Sequence, residues 1–373
     1  MAAACTALIT ACGGSTSAPS PAWRAVATPM RAIWPDCIDA STCLAATGTS
    51  IVKTTDGGAT WTTVLAAREV VPEHIVDLRD VSCAMSDCVA IKMNNEPGPV
   101  LMYSTNLGRS WRTGTLPNPA SAWVDAVSCP ANGVCYALGL AENARTAILW
   151  TTSDGGRAWR LLRVPPSSSS VAGAAGDDEP SGIDCASARF CVAALGPRML
   201  VTRSGPGGFR SVALPSAWQN SSHAGLAEGV ACVPRTESCV VVGTSFAHGR
   251  TSVLVAWSTN GTRWTPARHV PSIDAVSTGV SCPALDACVI GGIQNPIAKM
   301  GLCLAQVCGN ERAFLLRSAG SMNRWRAIKL PRPKSGRLFG ILGISCGAPR
   351  FCVVDGAVIS RRPPWVYVLI GPA

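Results

Sequence analysis

The feature that most limits what this chain can fold into is a recurring pair of cysteines. "CIDASTC" begins at 37, "CAMSDC" at 83, "CPANGVC" at 129, "CASARFC" at 185, "CVPRTESC" at 232, "CPALDAC" at 282 and "CGAPRFC" at 346. Their first cysteines are separated by 46, 46, 56, 47, 50 and 64 residues, a period at which propeller blades occur. Within the second unit, "LRDVSC", "CVAIKM", "VLMYST" and "WRTGTL" read as four β-rich runs joined by turns, which is one blade built as a meander. The expectation is an all-β propeller of seven four-stranded blades over residues 23–373, with one local disulfide per blade. The two long intervals hold loop insertions at about 167–182 and 293–312. Abundant turn formers, 36 Gly and 27 Pro in 373 residues, suit many short strands better than long helices.

Aromatics mark the fourth strand of each unit: Trp61, Trp111, Trp159, Phe209, Trp264, Trp325 and, less regularly, Trp365. "AWRAV" at 22 has the look of a fourth strand standing before the first unit, and "SRRPPWVYVL" at the other end competes for the same place. The sequence leaves open which of them closes the ring.

Paired cysteines serve either zinc or disulfides. Zinc sites use two to four intervening residues and a second pair or histidines nearby, whereas the gaps here are mostly five, without matching histidines. Disulfides are the stronger reading, and with 18 cysteines they point to an oxidising compartment. Eight local bridges, including Cys303 with Cys308, leave only Cys5 and Cys12.

Those two lie in "MAAACTALITACGGSTSAPSPAW", whose small and apolar residues end at "ITAC" before a Gly/Ser/Pro-rich stretch. The segment resembles a bacterial lipoprotein signal, which implies residues 1–12 as signal, Cys12 as the lipidated residue, 13–22 as a flexible tether, and an extracellular protein held to the bacterial membrane by lipid. It lacks a preceding Lys or Arg and is short for a signal. No other segment reaches the apolar length needed to span a membrane.

The net charge of +10 arises from 32 basic and 22 acidic residues with no long basic run, so nucleic acid is not indicated. Arginine outnumbers lysine 27 to 5, a bias that G+C-rich codons explain without ligand recognition. No cofactor or metal is expected.

A Gly-rich turn recurs before the aromatic. Thr54, Asp56, Gly58 and Trp61 repeat as Thr152, Asp154, Gly156 and Trp159, and as Ser104, Asn106, Gly108 and Trp111; "TRSGPGGF", "STNGTRW" and "SAGSMNRW" are degraded copies. The pattern Ser/Thr-x-Asp-x-Gly-x-x-Trp resembles the Asp-box, or BNR repeat, of bacterial sialidases and related propellers. Its chemistry needs no ligand: Asp or Asn and the hydroxyl accept turn N–H groups, and glycine takes positive φ. In the resembled family the box is architectural, so it speaks to fold rather than substrate.

Disulfide loops and Asp-boxes share one face of such a propeller, and the remaining connections form the other. His74, His223, His248 and His269 all fall in those connections, with Arg250 close by; they are the binding candidates, although a loop histidine is ordinarily just solvated. Sialidase chemistry, as the resemblance implies it, needs an arginine cluster, a tyrosine nucleophile with its glutamate, and an acid/base aspartate. Tyr103, Tyr136 and Tyr367 all sit in the repeat frame or the terminal strand, so no catalytic site carries over. Asp80, Asp125 and Glu228 stand just before a first-strand cysteine and are the weak catalytic candidates, since a glycosidase needs two facing carboxylates. The chain also resembles the seven-bladed photosystem II stability/assembly factor group, whose members bind protein. The functional expectation is a non-catalytic surface platform for a protein or glycan on the face opposite the Asp-boxes; the alternative is a glycoside hydrolase of sialidase-like architecture.

Overall fold

The computed structural model describes residues 22–28, 34–66, 77–93, 100–117, 122–141, 146–166, 179–218, 226–247, 250–295, 311–334, 336–359 and 366–373. Cys12, His74, His223, His248, Trp365, the Cys303–Cys308 pair, and the proposed signal and most of the tether lie outside these residues. Seven antiparallel four-stranded sheets follow one another as blades of a propeller.

Strand character follows from position in a blade. The second strand lies between neighbouring blades on both faces and is mostly apolar; Phe190–Leu195 (FCVAAL) is buried at every residue. The fourth strand is the rim and is short and exposed, as at Arg112–Thr113. Apolar clusters therefore form between blades: Val89, Ile91 and Leu101 of the second pack with Val124, Trp150 and Trp159 of the third.

The ring closes through both ends of the chain. Val366–Gly371 is the third strand of the last blade, and Arg24–Thr28 pairs antiparallel with it as the fourth, Arg24 opposite Ile370 and Thr28 opposite Val366. The competing segments thus occupy adjacent places in one sheet. Trp23 lies so close over Gly371 that a Cβ there would stand 2.2 Å from its ring, so glycine admits the indole.

Seven disulfides are present among the described residues, one per blade, each joining the facing ends of the first and second strands with Cα atoms 3.9–4.1 Å apart. Seven disulfides suggest an extracellular or secreted protein. No helix of the described residues is long and apolar enough to cross a membrane.

The Gly-rich turns close as their residue types require. Thr54 Oγ1 donates to Asp56 Oδ1 at 2.8 Å and accepts the Gly58 N–H at 2.9 Å, while Asp56 takes the Thr60 N–H at 2.9 Å. Hydrogen bonds from Thr60 and Thr54 hold the Asp56 carboxyl down at about 2. Gly58 has φ +78°, and a Cβ there would meet Ile370 of the last blade at 2.9 Å. The shortened copy still closes, because Asn260 Oδ1 accepts the N–H groups of Thr262 and Arg263 at 2.9 and 3.0 Å. Each intact turn bonds to the disulfide loop of its own blade, Gly57 N to Ser41 O, Leu107 N to Ser86 O and Gly155 N to Gly133 O, so both lie on one end of the propeller.

Candidate functional site

The inner strands surround a central channel of about 620 Å³. Its lining is set by the spacing to each first cysteine. The fourth residue before that cysteine is Arg79, Asp125, Ser181, Glu228 or Thr278 in blades two to six, and in each strand the pairing register slips at that residue. A β-bulge leaves one residue unpaired and re-aims it. All five of these side chains border the channel, together with Asp36, Asp77, Asp80 and Asp184.

The residue just before the first cysteine forms a second pattern. Asp36 Oδ2 accepts the Cys83 N–H at 2.7 Å, Ser82 Oγ that of Cys129 at 3.0 Å, and Ser128 Oγ that of Cys185 at 3.1 Å. Asp184 Oδ2 accepts from Cys232 at 2.7 Å, Ser281 Oγ from Cys346 at 3.0 Å, and Ser345 Oγ from Cys37 at 2.8 Å. Six of the seven blades thus cap a backbone donor of the next. The seventh place is Ala231, which has no acceptor to offer Cys282.

The channel is acidic in a chain of positive net charge. Burial pushes Asp36 and Asp80 up to about 7 and Asp184 and Asp125 up to about 6. Backbone N–H donors oppose that rise at Asp36, Asp80 and Asp184, and Arg79 opposes it at Asp125. Burial also raises Glu228, against hydrogen bonds from Ser277 and Thr244.

All three sequence-selected carboxylates reach the channel, each with a different engagement. Asp80 accepts the Val127 N–H at 3.1 Å and the Val81 N–H at 2.9 Å, which makes it a seam between blades two and three. Glu228 Oε2 accepts the hydroxyls of Thr244 (2.7 Å) and Ser277. Asp125 is accessible from the channel beside Arg79, so the desolvation that raises it comes from the enclosing channel walls and not from side-chain contacts. Neither Asp125 nor Glu228 owes its shift to the other's charge. Asp36 and Asp184 were missed in the sequence; the signal was the polar residue directly before the first cysteine.

Of the remaining candidates, the described ones, His269 and Arg250, do not line the channel. His269 is exposed on the outer seam, its N–H donating to Asn323 O at 3.2 Å and its carbonyl accepting from Trp325 N at 2.8 Å. Arg250 is exposed at the start of a strand of the fifth blade, where its charge helps lower Asp274. Tyr136 donates to Ala188 O at 2.8 Å and is pushed up to about 12 by burial, and Tyr367 is buried. Among the described residues no three His, Cys, Asp or Glu side chains gather as metal ligands.

No family model matches the chain, and no curated protein matches it. Solved structures do. A structure of YCF48 bound to D1 peptide is similar over 96% of this chain and 99% of that one, at 16% identity and a TM-score of 0.57. YCF48 from Cyanidioschyzon merolae covers 94% and 99% at 13% identity and 0.58, and a chain of the mitotic checkpoint complex 99% and 99% at 8% and 0.57. The likeness is one of fold. At these identities it carries no substrate or partner with it.

Proposed function

We propose that this chain is a non-catalytic, disulfide-stapled propeller, exported to the cell surface and held there through a lipid on Cys12, that binds a protein or glycan at the end of the channel opposite the disulfide loops. On this reading the Gly-rich turns are Asp-boxes serving the scaffold. The observation that carries it is the engagement of the channel carboxylates. Asp36, Asp80 and Asp184 hold backbone donors of neighbouring blades and Glu228 holds two hydroxyls, so they build a rigid rim rather than a reacting pair. Exposed Trp123, in the same strand as Asp125, supplies an aromatic surface of the kind that binding faces favour. YCF48 in complex with D1 peptide is a precedent for a similar fold taking a peptide.

A second reading, a glycoside hydrolase, draws on Asp125 and Glu228, two carboxyls raised by burial in one channel. Incubating residues 23–373 with immobilised glycan and peptide arrays separates the two. Retention without released sugar, weakened by Trp123→Ala, is the expected result. Sugar release that Glu228→Gln abolishes overturns the platform reading.

A further inference from the structure

Beside the Gly-rich turns, at the seam between the second and third blades, lies a concave pocket of about 190 Å³ lined by Tyr103, Thr105, Asn106, Ser110, Arg112 and Arg157. We propose that this pocket binds a tetrahedral oxyanion, a sulfate or phosphate group, between the guanidinium groups of Arg112 and Arg157.

The backbone places the two arginines together. Thr115 of the second blade donates its N–H to Arg157 O at 2.8 Å and accepts from Trp159 N at 3.0 Å, stitching the third blade's turn to the strand that follows Arg112. Gly114 sits so near that turn that a Cβ would meet Gly156 O at 2.2 Å, so only glycine lets the blades approach this closely. Both arginines are exposed, and among the described residues neither forms an ion pair. Among the described residues the one side-chain bond of Arg157 is a long one, 3.4 Å, to the carbonyl of Asp154.

The repeat itself supplies an independent observation. The turns of the first and third blades carry Asp56 and Asp154, and the copy that lines this pocket carries Asn106. Asn106 Oδ1 performs the same work in the turn, accepting from Ser104 Oγ and Ser110 N at 2.9 Å, but brings no negative charge. Its Nδ2 donates to Ser110 Oγ at 2.8 Å, which leaves that hydroxyl's own proton to point at a ligand. The neighbouring Asp154 carboxylate bonds inside its own turn to Thr152 Oγ1, Arg157 N and Ala158 N, and the nearby Arg157 charge also helps to hold it down without a direct ion pair. Two guanidiniums and a hydroxyl donor in one concave site match an oxyanion, which accepts bidentate N–H pairs.

The test titrates the full chain with inorganic sulfate, inorganic phosphate and phosphatidylglycerol vesicles at fixed ionic strength, read by calorimetry and vesicle sedimentation. Sulfate should bind once per chain, with an affinity unchanged from pH 5.5 to 8 because arginine stays protonated. Arg112→Ala and Arg157→Ala should each weaken it about tenfold. Asn106→Asp should abolish it while preserving the fold, since that turn already closes with Asp in two other blades. Vesicle retention lost in Arg112→Ala identifies a lipid headgroup as the source, and sulfate binding without vesicle retention identifies a soluble or sugar-borne ester. Absence of saturable sulfate and phosphate binding, or full affinity in Asn106→Asp, overturns the proposal; neither result bears on the channel.

Discussion

Asp184 Oδ2 accepts the backbone N–H of Cys232 at 2.7 Å, so a side chain of the fourth blade closes the channel edge of the fifth. The same carboxylate takes the Cys185 N–H at 2.8 Å through Oδ1. Removing it orphans the Cys232 donor in a buried seam and takes from Cys185 the shorter of its two acceptors, Ser128 Oγ remaining at 3.1 Å. Asp184→Ala is expected to cost about 2–3 kcal/mol in urea unfolding, against about 1 kcal/mol for Ser82→Ala, which frees the single neutral bond to Cys129.

Ala231 is the gap in the ring of inter-blade acceptors. Ala231→Ser installs the acceptor that the other six blades supply as a Ser hydroxyl or an Asp oxygen, here facing Cys282. The variant should gain about 0.5–1.5 kcal/mol, visible as a higher urea midpoint with an unchanged slope.

Stability should fall as pH rises from about 4 to 7. Asp36, Asp80 and Asp184 ionise near 3.8 when unfolded but near 6–7 when folded, so across that interval the unfolded chain gives up protons that the folded chain keeps. Asp56, held at about 2, acts in the opposite sense, but its contribution is complete above 3.8 and lost only below it. The melting temperature should therefore be higher at pH 5 than at pH 8, and Asp36→Asn should flatten the profile. A profile rising toward pH 8 would contradict the burial of these groups.

Each disulfide closes a loop of only five to seven residues in sequence separation. Replacing Cys185 and Cys191 together by Ser is expected to cost about 2 kcal/mol by the chain-entropy account. Under non-reducing denaturation the fourteen half-cystines of the seven bridges should resist alkylation, which mass spectrometry reads directly.

Local features of this chain were legible because the physics behind them is local. Facing cysteines five to seven residues apart announce a strand pair, apolar runs such as Phe190–Leu195 announce a strand buried on both faces, and Thr54, Asp56 and Gly58 announce a turn that satisfies itself. Asp80, Asp125 and Glu228 were legible as approaching the channel because they lie three or four residues before a first-strand cysteine.

Contacts between blades were not legible, because they depend on how seven wedges curve into a ring. Residue spacing alone cannot tell that Arg24–Thr28 lies beside Val366–Gly371, that a bulge turns Asp125 and Glu228 inward, or that Asp36 reaches a donor 47 residues away. The sequence by itself determined the number of blades, their strands and their staples, through alternation, turn chemistry and cysteine pairing within about fifty residues. Only the tertiary structure decided how the ring closes and which side chains hold its seams, since closure brings together groups that no local pattern connects.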